Sequence, residues 1–382
     1  MRFLFTIIWI YGIIKDRKRK GCDVKIIHTG DIHLGAAMKN LPREKANQRK
    51  AEILDGFGRL CTYARENGVS AVLIAGDLFD ETAISSSLKN QVLSLIAAAK
   101  PTVFFYVSGN HDEGLLLENL PDNFYTFSQN RSWQAYALGE NVTVTGMDTA
   151  YFSLHNFSAL TLNPDTFNIV LLHGNLGGDT NAKEYLPLAY FQNKYIDYLA
   201  LGHIHAADTT AKRLDARGRY RYCGCPEGRG FDETGKKGFF LIEIQNGLLV
   251  QEKFLTFARR EIVEKYVDIS RCNTYLDVEN AALETLKNEH KDNVIKLVLC
   301  GNYTAGLQKN TQLLSTRLSE RFFFVKTYDE SRLFLNPDEY KNDCTERGEF
   351  IREVGRYGLN GTLRDEILEI GLKALAGEEI DV

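Results

Sequence analysis

Between residue 24 and about residue 255, short apolar runs alternate with longer stretches whose apolar positions recur every 3.6 residues. The runs Val24–Thr29, Ala71–Ala75, Thr102–Val107, Val142–Thr145, Ile169–Leu172, Tyr198–Leu201, Arg219–Cys223 and Gly238–Ile244 predict strands. They are rich in β-branched and aromatic residues and bounded by Gly, Asn or Asp. Glu44–Asn67 predicts a helix stopped by Gly68, and Ser85–Ala99 another, with Pro101 just beyond it. The alternation predicts a layered α/β domain with some antiparallel strands, over residues 24–258.

Past Arg260 the texture changes. Leu276–Glu289, Leu307–Ser319, Pro337–Tyr357 and Leu363–Ala376 predict helices, and Val294–Cys300 and Phe322–Thr327 predict strands. This is a smaller α+β domain over residues 259–335 followed by a helical tail over 336–382. No internal repeat is visible.

Residues 1–23 stand apart. Phe3–Ile14 is nearly all apolar and is followed by Lys15-Asp16-Arg17-Lys18-Arg19-Lys20. A membrane span needs about 20 apolar residues, and a signal peptide carries its positive charge before the apolar stretch. The expectation is a misassigned start with the domain opening near Val24, and no membrane partner; the competing reading is a short membrane-surface anchor with a basic flank.

Composition narrows the class. At 382 residues, 44% hydrophobic and 25% charged, the chain reads as an ordinary globular protein able to bury a core without disulfides. Its seven cysteines are odd in number and irregular in spacing apart from Cys223-Gly-Cys225. That pattern argues for a reducing, cytoplasmic compartment. The formal charge of −4 is distributed as +4 over residues 1–23, −3 over 24–258 and −5 over 259–382. No global basic excess attracts a polyanion, so such a partner must be held by a local patch or by metal ions.

The chemistry sits at strand ends. Gly30-Asp31-Ile32-His33, Gly76-Asp77-Leu78-Phe79-Asp80, Ser108-Gly109-Asn110-His111-Asp112, His173-Gly174 and Gly202-His203-Ile204-His205 each follow a predicted strand. In α/β sheets, sites assemble in the crevice outside the carboxyl ends of strands. Asp31 and His33 are two apart, as are His203 and His205, so in extended chain each pair faces one way. The donors are carboxylate, amide and imidazole without thiolate, which suits Mn²⁺, Fe²⁺ or Zn²⁺ in open coordination, with Mn²⁺ the expected ion. His28, His155 and His290 lie outside these motifs and read as ordinary structural histidines. Residues 212–237 hold eight basic and four acidic side chains. Arg213, Arg219, Arg221 and Arg229 among them are candidates to position substrate phosphates.

In these motifs, in this order, the chain resembles the calcineurin-like metallophosphoesterases, and within them the SbcD/Mre-eleven DNA-repair exonucleases. Thr29-Gly30-Asp31-Ile32-His33-Leu34-Gly35, Gly109-Asn110-His111-Asp112 and Pro226-Glu227-Gly228-Arg229-Gly230-Phe231-Asp232-Glu233 carry the narrower likeness, which extends to the bacterial YhaO type. The resemblance covers residues 24–258; beyond 260 it extends only to the order and size of a capping domain. It implies a β-sandwich flanked by helices and two divalent metal ions. Asp31, His33 and His205 would hold one ion, Asn110, His173 and His203 the other, with Asp77 bridging and His111 catalytic. Asp80 and Asp112 would orient nearby histidines. The implied activity is metal-dependent exonuclease or endonuclease cleavage of DNA in a repair complex. The implied partners are a second copy of the chain and a coiled-coil ATPase of the SbcC/Rad-fifty class. Two other readings stand beside it: a phosphodiesterase or phosphatase acting on nucleotides or phosphoproteins, and a non-catalytic scaffold.

Overall fold

The structure is a computed structural model and describes residues 23–376 except 37, 39, 40, 82, 83, 128–130, 305, 306 and 335–339. The expectation of a misassigned start falls on residues outside this range. The chain divides into two compact units, 1–261 and 262–382.

In the first unit the elements run β1 (Val24–Thr29), α1 (Arg43–Glu66), β2 (Ala71–Ala75), α2 (Ser86–Ala98), β3 (Val103–Val107), β4 (Phe124–Thr126), β5 (Gln134–Ala137) and β6 (Val142–Gly146). They continue through α3 (Leu154–Ser158), β7 (Phe167–His173), β8 (Tyr198–Gly202), β9 (Lys212–Arg213), β10 (Arg219–Tyr222), β11 (Gly238–Gln245) and β12 (Leu248–Thr256). Two six-stranded sheets form, ordered β12-β11-β1-β2-β3-β4 and β5-β6-β7-β8-β10-β9. Strands β1 to β4 are mutually parallel, as are β6, β7, β8 and β10.

Alternation along each strand sorts its side chains into layers. Val24 and Ile26 of β1, Ala71 and Leu73 of β2, Phe105 of β3, Ile169 and Leu171 of β7 and Tyr198 of β8 fill the space between the sheets. The intervening Ile27, Val72, Ile74 and Phe104 pack instead against Ile53, Phe57 and Leu60 of α1 and Val92 and Ile96 of α2. Val170, Leu172, Leu199 and Leu201 face a further apolar layer with Phe157, Leu186 and Phe191. This is the layered β-sandwich flanked by helices that the resemblance implies. Strands β4, β5, β9 and β12 were not predicted. The first three are four residues or shorter, and β12 is an edge strand whose Gln251 and Lys253 interrupt the apolar run.

A buried ionic cluster ties α1 to the end of this unit. Glu52 accepts from Arg49 Nη1 at 2.8 Å and from Arg260 Nη2 at 2.7 Å. Burial alone would raise the Glu52 carboxyl, but the two guanidinium hydrogen bonds overcome it and hold the group at about 2. A depressed folded-state value means that this contribution is complete above the ordinary 4.5 and is lost as pH falls toward 2. Glu52→Ala removes the carboxylate that two buried arginines share and is expected to lower unfolding free energy by up to about 3 kcal/mol. Urea denaturation of both proteins at neutral pH measures it, and an unchanged midpoint would show the cluster to be dispensable.

The second unit contains β13 (Ile262–Asp268), α4 (Tyr275–Leu286), β14 (Val294–Cys300), β15 (Asn302–Tyr303), α5 (Thr311–Leu318), β16 (Phe324–Asp329), β17 (Arg332–Leu333), α6 (Glu346–Arg356) and α7 (Gly361–Ala376). The parallel sheet β13-β14-β16 packs on α4 and α5 through Val267, Val278, Leu297, Leu314 and Val325. Thr274 opens α4 with a capping box closed by Asp277. The helix α6 starts at Glu346, capped by Thr345; of the expected helix Pro337–Tyr357, residues 337–339 lie outside the described residues and 341–345 are not helical. No helix among the described residues is long and apolar enough to cross a membrane.

Candidate metal centre

The carboxyl ends of β1, β2 and β3 in one sheet meet those of β7 and β8 in the other. The sheets pinch together there. His173 Nδ1 donates to the Ala75 carbonyl across the sandwich at 2.9 Å, and a Cβ at Gly202 would collide with that same carbonyl. Gly109 is similarly constrained, because a side chain there would overlap the Asp77 carboxylate. Asp31, His33 and Asp77 hold φ near +50° and His203 +98°. These are left-handed conformations that non-glycine residues adopt at a cost and retain where the surroundings enforce them.

The side chains these turns deliver converge. One oxygen of Asp77, Oδ2, lies 3.6 Å from His33 Nε2 and 3.3 Å from His173 Nε2. His33 Nε2 and His205 Nε2 are 3.3 Å apart, and His205 Nε2 is 3.8 Å from Asp31 Oδ1. Asn110 Oδ1 lies 2.9 Å from His173 Nε2 and 3.3 Å from His203 Nδ1. The backbone N–H of His203 donates to both oxygens of Asp31 at 3.0 Å. All seven residues expected as ligands therefore meet in one cluster.

The donor set fits divalent cations. Asp31–His33–His205, Asp31–Asp77–His173 and His33–Asp77–His111 each bring three donor atoms within 4.8 Å of one another. Three histidines have their Nδ1 committed elsewhere: His33 to Asp80 Oδ1 at 2.9 Å, His205 to Glu233 Oε1 at 2.7 Å, and His173 to the Ala75 carbonyl. Each acceptor takes a proton from Nδ1, so each Nε2 presents a lone pair to the cluster. Burial lowers the pKa of His33, of His203 and of His173, the last to about 4, which favours the neutral rings that a metal ion requires. Asp31 is raised well above the carboxylate range by burial and then by the charge of Asp77. Two buried carboxylates among neutral imidazoles are what a multivalent cation stabilises.

His111 occupies the mouth of the cluster. Its backbone N–H donates to Asp77 Oδ1 at 3.0 Å, its Nδ1 donates to the Asp80 carbonyl at 3.0 Å, and its ring is half-exposed. It stands beside the His33 ring, centroids 4.7 Å apart, whereas Asn110 faces His173 and His203. Asp80 orients His33 as expected. Asp112 does not orient a histidine: its oxygens accept from the backbone N–H groups of Phe79 and Gly109, which fixes the two loops to each other.

The four arginines do not form one phosphate-facing patch. Arg219 pairs in register with Tyr198 at the start of β8, and Arg213 pairs with Arg219, so both lie at the opposite end of these strands from His203. Arg221 is buried, with its guanidinium 4.0 Å over the Phe240 ring. Only Arg229 reaches the cluster, and it is paired there with Glu233 and Asp80. Glu233 was missed as a site residue. Its signal was its place in the Pro226–Glu233 segment, which carried resemblance but no recognised ligand spacing.

Residues 24–207 match the calcineurin-like phosphoesterase family. Among curated proteins, the chain is 28% identical over 246 residues to an uncharacterized metallophosphoesterase, YhaO, of Bacillus subtilis, covering 59% of this chain and 58% of that one. It is 27% identical over 263 residues to the DNA double-strand break repair protein Mre11 of Methanopyrus kandleri, covering 61% and 56%. It is 24% identical over 277 residues to the SbcD component of the nuclease SbcCD of Escherichia coli, covering 59% and 66%. The chain thus spans less than two thirds of the length of these relatives.

Proposed function

The chain carries a calcineurin-like phosphoesterase domain, a metal-dependent hydrolase, and from that premise we propose that it is a two-metal DNA nuclease subunit that cleaves phosphodiester bonds with water. The observation that carries the hydrolytic part is the convergence of Asp31, His33, Asp77, Asn110, His173, His203 and His205 with three Nε2 lone pairs turned inward. The nucleic-acid part rests on relatives named for DNA repair and nuclease activity.

In this reading Asp31, His33 and His205 would hold one ion and Asn110, His173 and His203 the other, with the Asp77 carboxylate available to both. The chemistry such ions supply when bound is Lewis-acid polarisation of a phosphoryl group and a lowered pKa for water. The protein supplies the rest. Asp77 and Asp31 set the charge of the site, the Nδ1 acceptors fix the rings, and His111 delivers a proton to the leaving oxygen. With Nδ1–H of His111 held by the Asp80 carbonyl, the proton delivered must be a second one on Nε2, so the acting form is the imidazolium, which returns to the neutral ring as the leaving oxygen is protonated.

The expected result is hydrolysis of linear duplex DNA that disappears in chelator and returns with Mn²⁺. Labelled duplex DNA, single-stranded DNA and a chromogenic phosphodiester assayed side by side test both parts. Full activity in metal-stripped protein would overturn the metal mechanism. Turnover of the small phosphodiester with no cleavage of either DNA would move the reading to the small-molecule phosphodiesterase.

The proposed partners are a second copy of the chain and a coiled-coil ATPase. On α7, Leu372 turns into the α6–α7 core, while Leu363, Ile370 and Leu375 remain about half-exposed. In this reading Leu363 and Ile370, seven positions apart and so on one face of the helix, would meet the ATPase.

A further inference from the structure

Arg229 joins the two carboxylates that orient the histidines of one half of the centre. Its Nη1 lies 3.2 Å from Asp80 Oδ1, the same oxygen that accepts from His33 Nδ1. Its Nη2 lies 2.8 Å from Glu233 Oε1, the same oxygen that accepts from His205 Nδ1. Its backbone N–H closes the turn onto Glu233 Oε2 at 2.7 Å. One planar fork thus spans two acceptors 153 positions apart in sequence, a geometry that a lysine ammonium does not reproduce. Burial alone would raise the Glu233 carboxyl, but the His205 hydrogen bond and the Arg229 charge hold it at about 2.

The loop that carries this arginine is itself anchored. Arg49 of α1, 2% exposed, donates to Glu227 Oε2 at 3.2 Å and to the Gly228 carbonyl at 2.8 Å. Arg59 and the backbone N–H of Arg259 hold the other oxygen of Glu227 at 3.1 and 2.8 Å. No comparable device reaches the other half among the described residues. There the His173 ring is set by a backbone carbonyl within the sandwich.

We propose that Arg229 is a positioning residue that makes the two metal positions unequal. By holding Asp80 and Glu233 it fixes the His33 and His205 rings, so the Asp31–His33–His205 position depends on the 226–233 loop and the Asn110–His173–His203 position does not. The inference rests on the two-metal reading. Lost support around a ligand lowers metal affinity by about 10–100-fold, and here the loss falls on one ion only.

The test is Mn²⁺ titration of the full-length protein by calorimetry, with electron paramagnetic resonance of the loaded samples. Wild type should take up two ions per chain and show a coupled dimanganese signal. Arg229→Met should weaken one binding step by about 10–100-fold, leave the other unchanged and yield a mononuclear signal at intermediate Mn²⁺. Asn110→Ala should weaken the opposite step, and Arg229→Lys should recover only part of the loss. Arg213→Met, the same charge change at the far end of the strands, should leave both steps unchanged. Circular dichroism establishes folding; should Arg229→Met not fold, Arg229→Lys decides, with a selective loss at one step expected. Equal weakening of both steps, or none in a folded variant, would overturn the proposal. Wild type binding fewer than two ions would instead overturn the two-metal reading, and the inference with it.

Discussion

Asp77→Asn is expected to abolish hydrolysis, lowering the rate by more than the roughly 10²–10⁴-fold typical of a lost general acid. One Asp77 oxygen faces His33 and His173 together, so the carboxylate belongs to both halves of the centre. Its other oxygen accepts from the His111 backbone and so sets the loop that carries Asn110 and His111. Asparagine keeps the shape and removes the charge. The stability effect has the opposite sign in the two forms of the protein. Without metal, Asp77 raises the pKa of buried Asp31 by repulsion, and removing that charge leaves the variant at least as stable as wild type. With metal, wild type gains about 2.7 kcal/mol at a free-ion concentration 100 times the dissociation constant, and the variant does not. Melting temperatures with chelator and with Mn²⁺, beside single-turnover rates, read all three effects. A variant stabilised by Mn²⁺ as strongly as wild type would show that Asp77 does not hold the ions together.

What the sequence made legible follows from how locally each feature is encoded. The ligands were readable because each stands within four residues of a strand end and beside a glycine or two residues from a ligand that is, so a short window contains both the strand and the turn. Strands β1 and β2 were readable to the residue because both faces are buried and the run is uninterrupted. Glu233 and Arg229 were not readable as supports, because their meaning is relational. Glu233 is 28 positions from His205, and Arg229 is 149 positions from Asp80. No periodicity links them. The basic segment 212–237 misled for the same reason. Counting charge does not reveal that Arg221 lies between the sheets on Phe240, or that Arg217 is spent on Asp197. Asp112 looked like a histidine partner by adjacency, yet the fold turns it onto two backbone N–H groups.

His111→Ala is expected to leave metal binding in place while slowing hydrolysis by roughly 10²–10⁴-fold, about 3–5 kcal/mol of barrier. The two consequences separate because His111 has two kinds of contact. Its backbone N–H, which alanine retains, holds Asp77. Its ring, which alanine lacks, stands half-exposed at the mouth with Nδ1 fixed by the Asp80 carbonyl. The ring nitrogen also falls within reach of the His33 and Asp77 donors, so a ligating role makes the contrary forecast that an ion is lost. Elemental analysis of the purified variant distinguishes the two, and single-turnover rates at saturating Mn²⁺ give the size of the loss. A better leaving group provides an internal control. A nitrophenolate needs little protonation as it departs, so the variant should lose far less rate on a nitrophenyl phosphodiester than on DNA. A metal-free variant, a wild-type rate, or an equal loss on both substrates would each remove His111 from the role of general acid.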